Sequence, residues 1–299
     1  MFDKILTFKD NLGVTKEEKE FKSYINRQSE KKYEKGYQPH TKVQLFTDED
    51  GEMKLKWEKS NMMVLAGGGF LARTLFGLTD VPEVTPSYNM ALNLDESDPS
   101  ESGRMSEIKV LGFCVGTDGC GRENSQIFAP KYASWISPEW SEQFGGIVPI
   151  EYTPVENDLS PELRAIYNGR KTFSNYIAYY FKKFSSDPVF SQQYLDGTPI
   201  GSDVYENISR SDTEVETVVT MTLDILKSDV RGAFYYGLNG QTINDCRINT
   251  ISLVMGWTKV NSEGYEVWNS IRPLTRLNFS NESLLDLRKS IQIRYSLYF

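Results

Sequence analysis

The chain has 299 residues, 39% of them hydrophobic and 13% aromatic, enough to bury substantial cores in two domains or one large β domain. With 33 basic against 41 acidic residues the formal net charge is −8, which speaks against gripping nucleic acid by neutralising phosphates. Three cysteines are too few for a disulfide framework and read as reduced thiols. The start is too short an apolar run for a signal peptide, and no run reaches the ~20 apolar residues of a membrane helix. We therefore expect a protein made in the cytoplasm, with no membrane partner.

Residues 15–35 are rich in Lys and Glu, with Phe21, Tyr24, Ile25 and Tyr33 forming a thin apolar stripe. Two readings stand: a polar helix laid on a neighbour by one narrow face, or an arm that reaches another subunit. Residues 42–47 and 53–59 bracket Asp48, Glu49, Asp50 and Gly51, which is a hairpin signature. Residues 61–77 lead into a short buried helix that ends at Gly77. Residues 93–103 are rich in Asp, Glu and Ser and form a surface loop and candidate linker. This divides the chain into an N-terminal helix-and-hairpin region, residues 1–103, and a body, residues 104–299.

Residues 107–115 alternate as a strand and run into a glycine-rich turn, Gly116 to Gly121. A short strand follows at 147–152, and then one or two helical turns over 159–169, opened by Ser160 and Pro161 and stopped at Asn168 and Gly169. Residues 172–184 are the longest internal strand, with Phe173, Ile177, Tyr179 and Phe181 on or near one face, and residues 185–210 are polar and loop-like. Next, Val215, Thr217, Val219, Met221, Leu223 and Ile225 share one strand face, opposite Glu216, Thr220, Thr222 and Asp224. An apolar run at 247–255 precedes two shorter strands, 265–270 and 274–279, with a tight turn at 261–264. The final residues repeat the alternation, with Ile291, Ile293, Tyr295, Leu297 and Phe299 on one face. That makes about five strands in a row with turns between them, so the expected fold is mainly β, an antiparallel sandwich-like body behind a small N-terminal region. A chain ending in a strand at Phe299 leaves an apolar edge that invites pairing with another chain.

The motifs that carry chemistry fail on inspection. Gly116 and Gly121 have the spacing of a phosphate-cradling loop, but Arg122 and Glu123 stand where Lys and Ser or Thr are needed, so a tight strand-to-loop turn is the reading. The run Gly67, Gly68, Gly69 lacks the spaced glycines and downstream acid of a dinucleotide site. His40 is the only histidine, and Cys114 with Cys120 has no second pair at ligand spacing, so neither zinc nor a histidine-based nucleophile is expected. Paired carboxylates of a hydrolase are not singled out by 41 acidic residues, and Asp212, Glu214 and Glu216 read as a solvated rim. The aromatics of 174–184 suit a core or a subunit interface, although Tyr176, Tyr180 or a Trp could also line a sugar-binding groove. Sequons at Asn207, Asn278 and Asn281 carry no weight without secretion. We expect no catalytic, cofactor-binding or metal-binding residues, no cofactor, and no enzyme activity.

Three stretches resemble a group of tailed-bacteriophage virion proteins of the neck, tail and baseplate. Residues 61–77, ending in Phe-Leu-Ala-Arg-Thr-Leu-Phe-Gly, are similar to that group's N-terminal element. Phe113 to Gly119 resembles its Phe-Gly-Val-Gly-Thr-Gly-Gly turn, with Cys114 and Asp118 as departures. Residues 238–245 look like its loop between two long strands, with Asp245 in place of Glu. The resemblance implies a structural component of the virion that assembles as a homo-oligomeric ring or cluster with other virion proteins, with DNA passing nearby at most. The alternative is a β-rich carbohydrate- or receptor-binding module.

Overall fold

The structure, a computed structural model, describes residues 40–49, 51–61, 94–95, 107–117, 119–123, 126–130, 147–194, 199, 215–230, 247–283 and 290–299. The predicted helices over 15–35 and 68–76, and the loop 238–245, lie outside these residues. The chain divides into a larger unit, His40–Ser191 with Thr217–Tyr298, and a smaller one, Met1–Pro39 with Gln192–Glu216 and Phe299.

The larger unit is mainly β, and its strand pairings are antiparallel. One sheet contains β11 (Val215–Ile225), β14 (Ile291–Tyr298), β1 (His40–Glu49) and β2 (Glu52–Asn61), in that order. The other runs β13 (Glu266–Ser283), β12 (Arg247–Val260), β3 (Lys109–Gly116), β9 (Tyr176–Lys182), β7 (Glu151–Pro154). On this path β6 (Ile147–Val148) pairs with β3 and β8 (Tyr167–Thr172) pairs with β9. A separate ladder joins β4 (Cys120–Glu123) to β5 (Gln126–Pro130). A single helical turn, α1 (Pro161–Arg164), precedes β8.

The predicted hairpin forms as β1 and β2, pairing Glu49 with Glu52, and Gly51 N–H bonds Asp48 Oδ1 at 2.9 Å. The terminal alternation also holds, since Ile291, Ile293, Tyr295 and Leu297 are all buried. The exposed apolar edge expected at the chain end is not there. β14 is flanked on both sides, by β11 through Met221↔Tyr295 and by β1 through Val43↔Tyr295, so its backbone is paired within the chain. The alternation of β11 holds from Met221 onward, but before it Glu216 and Val218 are buried instead of Val219.

Other boundaries differ for local reasons. The strands expected at 265–270 and 274–279 are one, β13, in which shifts of register beside Pro273 and at Ser270, φ 51°, take up the expected break. The expected strand at 147–152 is two, β6 and β7. The stop at Asn168 and Gly169 is inside β8, and β10 (Val189–Tyr194) lies within the stretch expected to be loop. Ser160 occupies the cap position of α1, yet its side chain makes no capping bond.

The two sheets of the larger unit meet through Tyr295, whose hydroxyl donates to Thr275 Oγ1 at 2.6 Å, and through Trp57 on Phe279, centroids 5.2 Å apart. A second cluster packs Leu111, Tyr180, Phe181, Val254, Trp268 and Ile271. Burial is unbroken over residues 248–257 and 271–279, so β12 and β13 are covered on both faces. In the smaller unit Gln193 bridges to Pro199 and donates from Nε2 to Glu216 Oε1 at 2.8 Å. The predicted solvated rim is thus wrong at Glu216, which is buried, while Asp212 and Glu214 lie outside the described residues.

Candidate functional site

Three strands converge on Lys182, the last residue of β9. It pairs with Tyr167 of β8 on one edge and with Phe113 of β3 on the other, and from Ile177 onward every residue of β9 is buried. Gly112 permits this approach, because a Cβ there would overlap the Lys182 carbonyl oxygen. The lysine is 5% exposed, and its Nζ donates to Asp229 Oδ2 at 2.6 Å and to the Asp224 carbonyl at 2.9 Å.

Asp229 is fully buried in the turn that follows β11. That turn is closed by its own N–H, which donates to the Leu226 carbonyl at 3.0 Å, and by Leu226 N–H on Asp229 Oδ2 at 2.8 Å. Tyr167 completes the cluster, its hydroxyl donating to Asp229 Oδ1 at 2.7 Å and its ring centroid 5.1 Å from Lys182 Nζ. The next residue, Val230, has φ 66° and is buried, with its N–H on the Ile150 carbonyl at 2.5 Å. Positive φ is costly for a β-branched residue, so the surrounding contacts hold the backbone in a strained form beside the carboxylate.

A fourth group, Glu151 of β7, feels the charges of both Asp229 and Lys182. Burial pushes its carboxyl up to about 7; the Tyr152 N–H and Lys182 oppose this, and Asp229 adds to it. Burial likewise pushes the Tyr167 phenol up, reinforced by the Asp229 charge. The cluster therefore holds a buried lysine–aspartate pair, a phenol that stays protonated, and an acid able to exchange a proton near neutral pH.

A second polar network lies on β8 and β9. Asp158 accepts Tyr179 OH at 2.6 Å and Leu159 N–H at 2.8 Å, and pairs with Arg170 at 3.3 Å. Burial pushes the Asp158 carboxyl up, but these donors outweigh it and hold the group below the usual range. Asp95 accepts from Arg170 at 2.9 Å and from Thr172 N–H and Oγ1 at 2.7 and 2.6 Å. These contacts tie Asp158 and Asp95 to Arg170 within β8, to Thr172 at its end and to Tyr179 within β9.

Gly119 N–H donates to Asn249 Oδ1 at 2.6 Å, and the chain enters β4 at Cys120 immediately afterwards, where the sequence suggested a turn into loop. Cys114 is buried, and burial pushes its thiol up against a smaller opposing effect of the Ser252 hydroxyl. Among the described residues no group of three or more His, Cys, Asp or Glu could hold a metal ion, and no helix is long and apolar enough to cross a membrane. The side chains of His40, Cys120 and Cys246 lie outside what is described. Tyr180 is buried and unavailable to a surface groove, whereas Tyr176 stacks on Tyr152 at 5.3 Å beside the exposed Phe173. Asn278 is buried and hydrogen-bonded to Thr250 and Arg276, which removes it as a glycan acceptor.

The cluster around Lys182 was not legible in advance. The one available signal is a lysine closing the aromatic run Tyr179, Tyr180, Phe181, and it becomes informative only if the strand is covered on both faces. No protein family, no curated protein and no solved structure matches the chain.

Proposed function

We propose that this protein is a non-enzymatic structural component of a tailed-phage virion, a sandwich-like β body that assembles as an oligomeric ring or cluster in the neck, tail or baseplate. The observation that carries the reading is the resemblance of the stretch Phe113 to Gly119, of which residues 113–117 and 119 are described. Its first residues belong to β3, at the centre of the larger sheet, and Gly119 N–H is held by Asn249 Oδ1. The polar side chains support it as well, since both networks tie segments of the fold to one another. Subunit association would use complementary surfaces other than β14, whose two edges are already paired.

The test is the mass of the purified protein in solution by light scattering, with electron microscopy of the same peak and immunogold labelling of virions. A closed ring or cluster, with label at the neck, tail or baseplate, is expected. A monomer that never labels virions would overturn the reading. A second reading, carbohydrate binding, is favoured by the aromatic group Tyr152, Phe173 and Tyr176, with Tyr152 5.3 and 6.4 Å from the other two rings. Glycan binding by a monomer, lost on Phe173→Ala, would give that reading the case.

A further inference from the structure

We infer that Lys182 and Asp229 are the substrates of a self-condensation, an amide bond between Nζ and Cγ that covalently staples β9 to the turn after β11. This goes beyond the virion reading and does not depend on it, because every group involved lies within one unit of one chain. Three features of the site carry the inference.

The first is proximity. Lys182 Nζ is 2.6 Å from Asp229 Oδ2 and is held from behind by the Asp224 carbonyl at 2.9 Å. The carboxyl carbon is one bond beyond Oδ2, near the ~3–3.5 Å separation of a near-attack pair. Both residues are fixed by their surroundings, Lys182 by three strands and Asp229 by a turn closed at both ends. Such preorganisation reaches effective molarities of ~10⁵ M or more, and the low-dielectric site excludes the water that would reverse the reaction.

The second is charge. Both partners are buried, so a charged pair there is costly to desolvate, and condensation to an amide removes both charges from the site. The third is the set of partners around the carboxyl group. The Tyr167 hydroxyl donates to Oδ1, where negative charge develops when the amine attacks, and Leu226 N–H donates to Oδ2, the oxygen that leaves. Glu151 adjoins Ile150, whose carbonyl accepts the Val230 N–H next to Asp229, so a third ionisable group borders the pair and feels the charges of both reactants.

The step balances without any co-reactant. The nitrogen lone pair forms the N–C bond, Oδ2 departs with two protons that came from the ammonium, and the products are one amide and one water. No atom changes oxidation state. The bond closes a loop between positions 47 residues apart, and so restricts the unfolded chain as a disulfide would.

The experiment is intact mass measurement of the purified full-length protein under denaturing conditions, after prolonged incubation, followed by tryptic mapping. The expected result is a mass one water below that of the sequence, no cleavage after Lys182, and a branched peptide that joins Lys182 to Asp229. The full sequence mass, with ordinary cleavage after Lys182, would leave the pair an ion pair and overturn the inference. Lys182→Arg keeps the positive charge but should show the full mass; a water loss persisting there would place it elsewhere and equally overturn it. Asp229→Asn should condense with loss of ammonia in place of water, and so reach the same final mass as the wild-type product. The wild-type measurement decides even where a variant fails to fold.

Discussion

Asn168 of β8 closes on the backbone of β13 at Trp268 with its side chain. Its Oδ1 accepts the Trp268 N–H at 3.0 Å, and its Nδ2 donates to the Glu266 carbonyl at 2.6 Å. The amide thus satisfies a donor and an acceptor of a neighbouring strand as a peptide group would, and it is buried. Removing it leaves both backbone groups without these bonds, so Asn168→Ala should lower stability by about 2–3 kcal/mol. Asn168→Asp should be at least as harmful, because it sets an acceptor against the Glu266 carbonyl. Urea unfolding monitored by Trp fluorescence measures both, and a loss within ~0.5 kcal/mol for either would show that water replaces the amide.

Glu151 gives a pH dependence with an unusual sign. Its carboxyl is raised from 4.5 to about 7 in the folded protein, with burial the largest cause. The folded state therefore binds more protons than the unfolded state between those values, and stability falls as pH rises through that window. Glu151→Gln removes the effect and should be more stable than wild type above pH ~7, by ~1–3 kcal/mol, with the difference fading towards pH ~4.5. Because burial dominates, the sign is the same whether Lys182 and Asp229 are charged or condensed. Asp158 acts oppositely, since its lowered value contributes stability that is lost as pH falls through the acid range. Chemical denaturation of wild type and Glu151→Gln across this range is the check; parallel curves would show that Glu151 reaches solvent.

The strands that were readable share one property: one face meets the core and the other meets solvent or polar neighbours. β14 alternates buried and less buried residues from Ile291 to Tyr298, and its sequence shows the same period. Its neighbours were not readable, because pairing between distant segments leaves no local trace. Nothing near residue 295 announces that Val43 and Met221 will flank it. In β13 local propensity argues for a break between Ser270 and Pro273, and pairing with β12 on both sides overrides it with a shift of register. The cluster at Lys182 was hidden for a related reason. A lysine at a strand end normally reads as solvent-facing, and only the convergence of β3, β8 and β9 buries it.

Gly169 sits within β8 at φ 71°, and a Cβ there would overlap the Phe181 ring on the paired strand. Both backbone conformation and packing therefore exclude a side chain. Gly169→Ala should cost about 3 kcal/mol, more than the gain from a stiffer unfolded chain can offset. A Phe181→Leu change in the same chain should recover part of that loss by vacating the space under the new methyl group. Thermal unfolding of the single and double variants tests this, and strict additivity would mean that the φ angle alone sets the cost.

Glu282 is buried near the end of β13 and accepts from two residues of β2, pairing with Lys56 Nζ and taking Trp57 Nε1 at 3.2 Å. The lysine is 49% exposed, so part of its attraction is screened, but the carboxylate it neutralises is not. Lys56→Met leaves that charge with the indole N–H as its remaining partner in this contact, and should lower stability by ~1–2 kcal/mol. Adding Glu282→Gln to Lys56→Met should restore much of the loss, because a neutral amide can still accept from Trp57 and needs no counter-ion. The four unfolding free energies form a double-mutant cycle with a favourable coupling term. A double variant no more stable than Lys56→Met would mean that the lysine stem, packed along β2, contributes more than its charge.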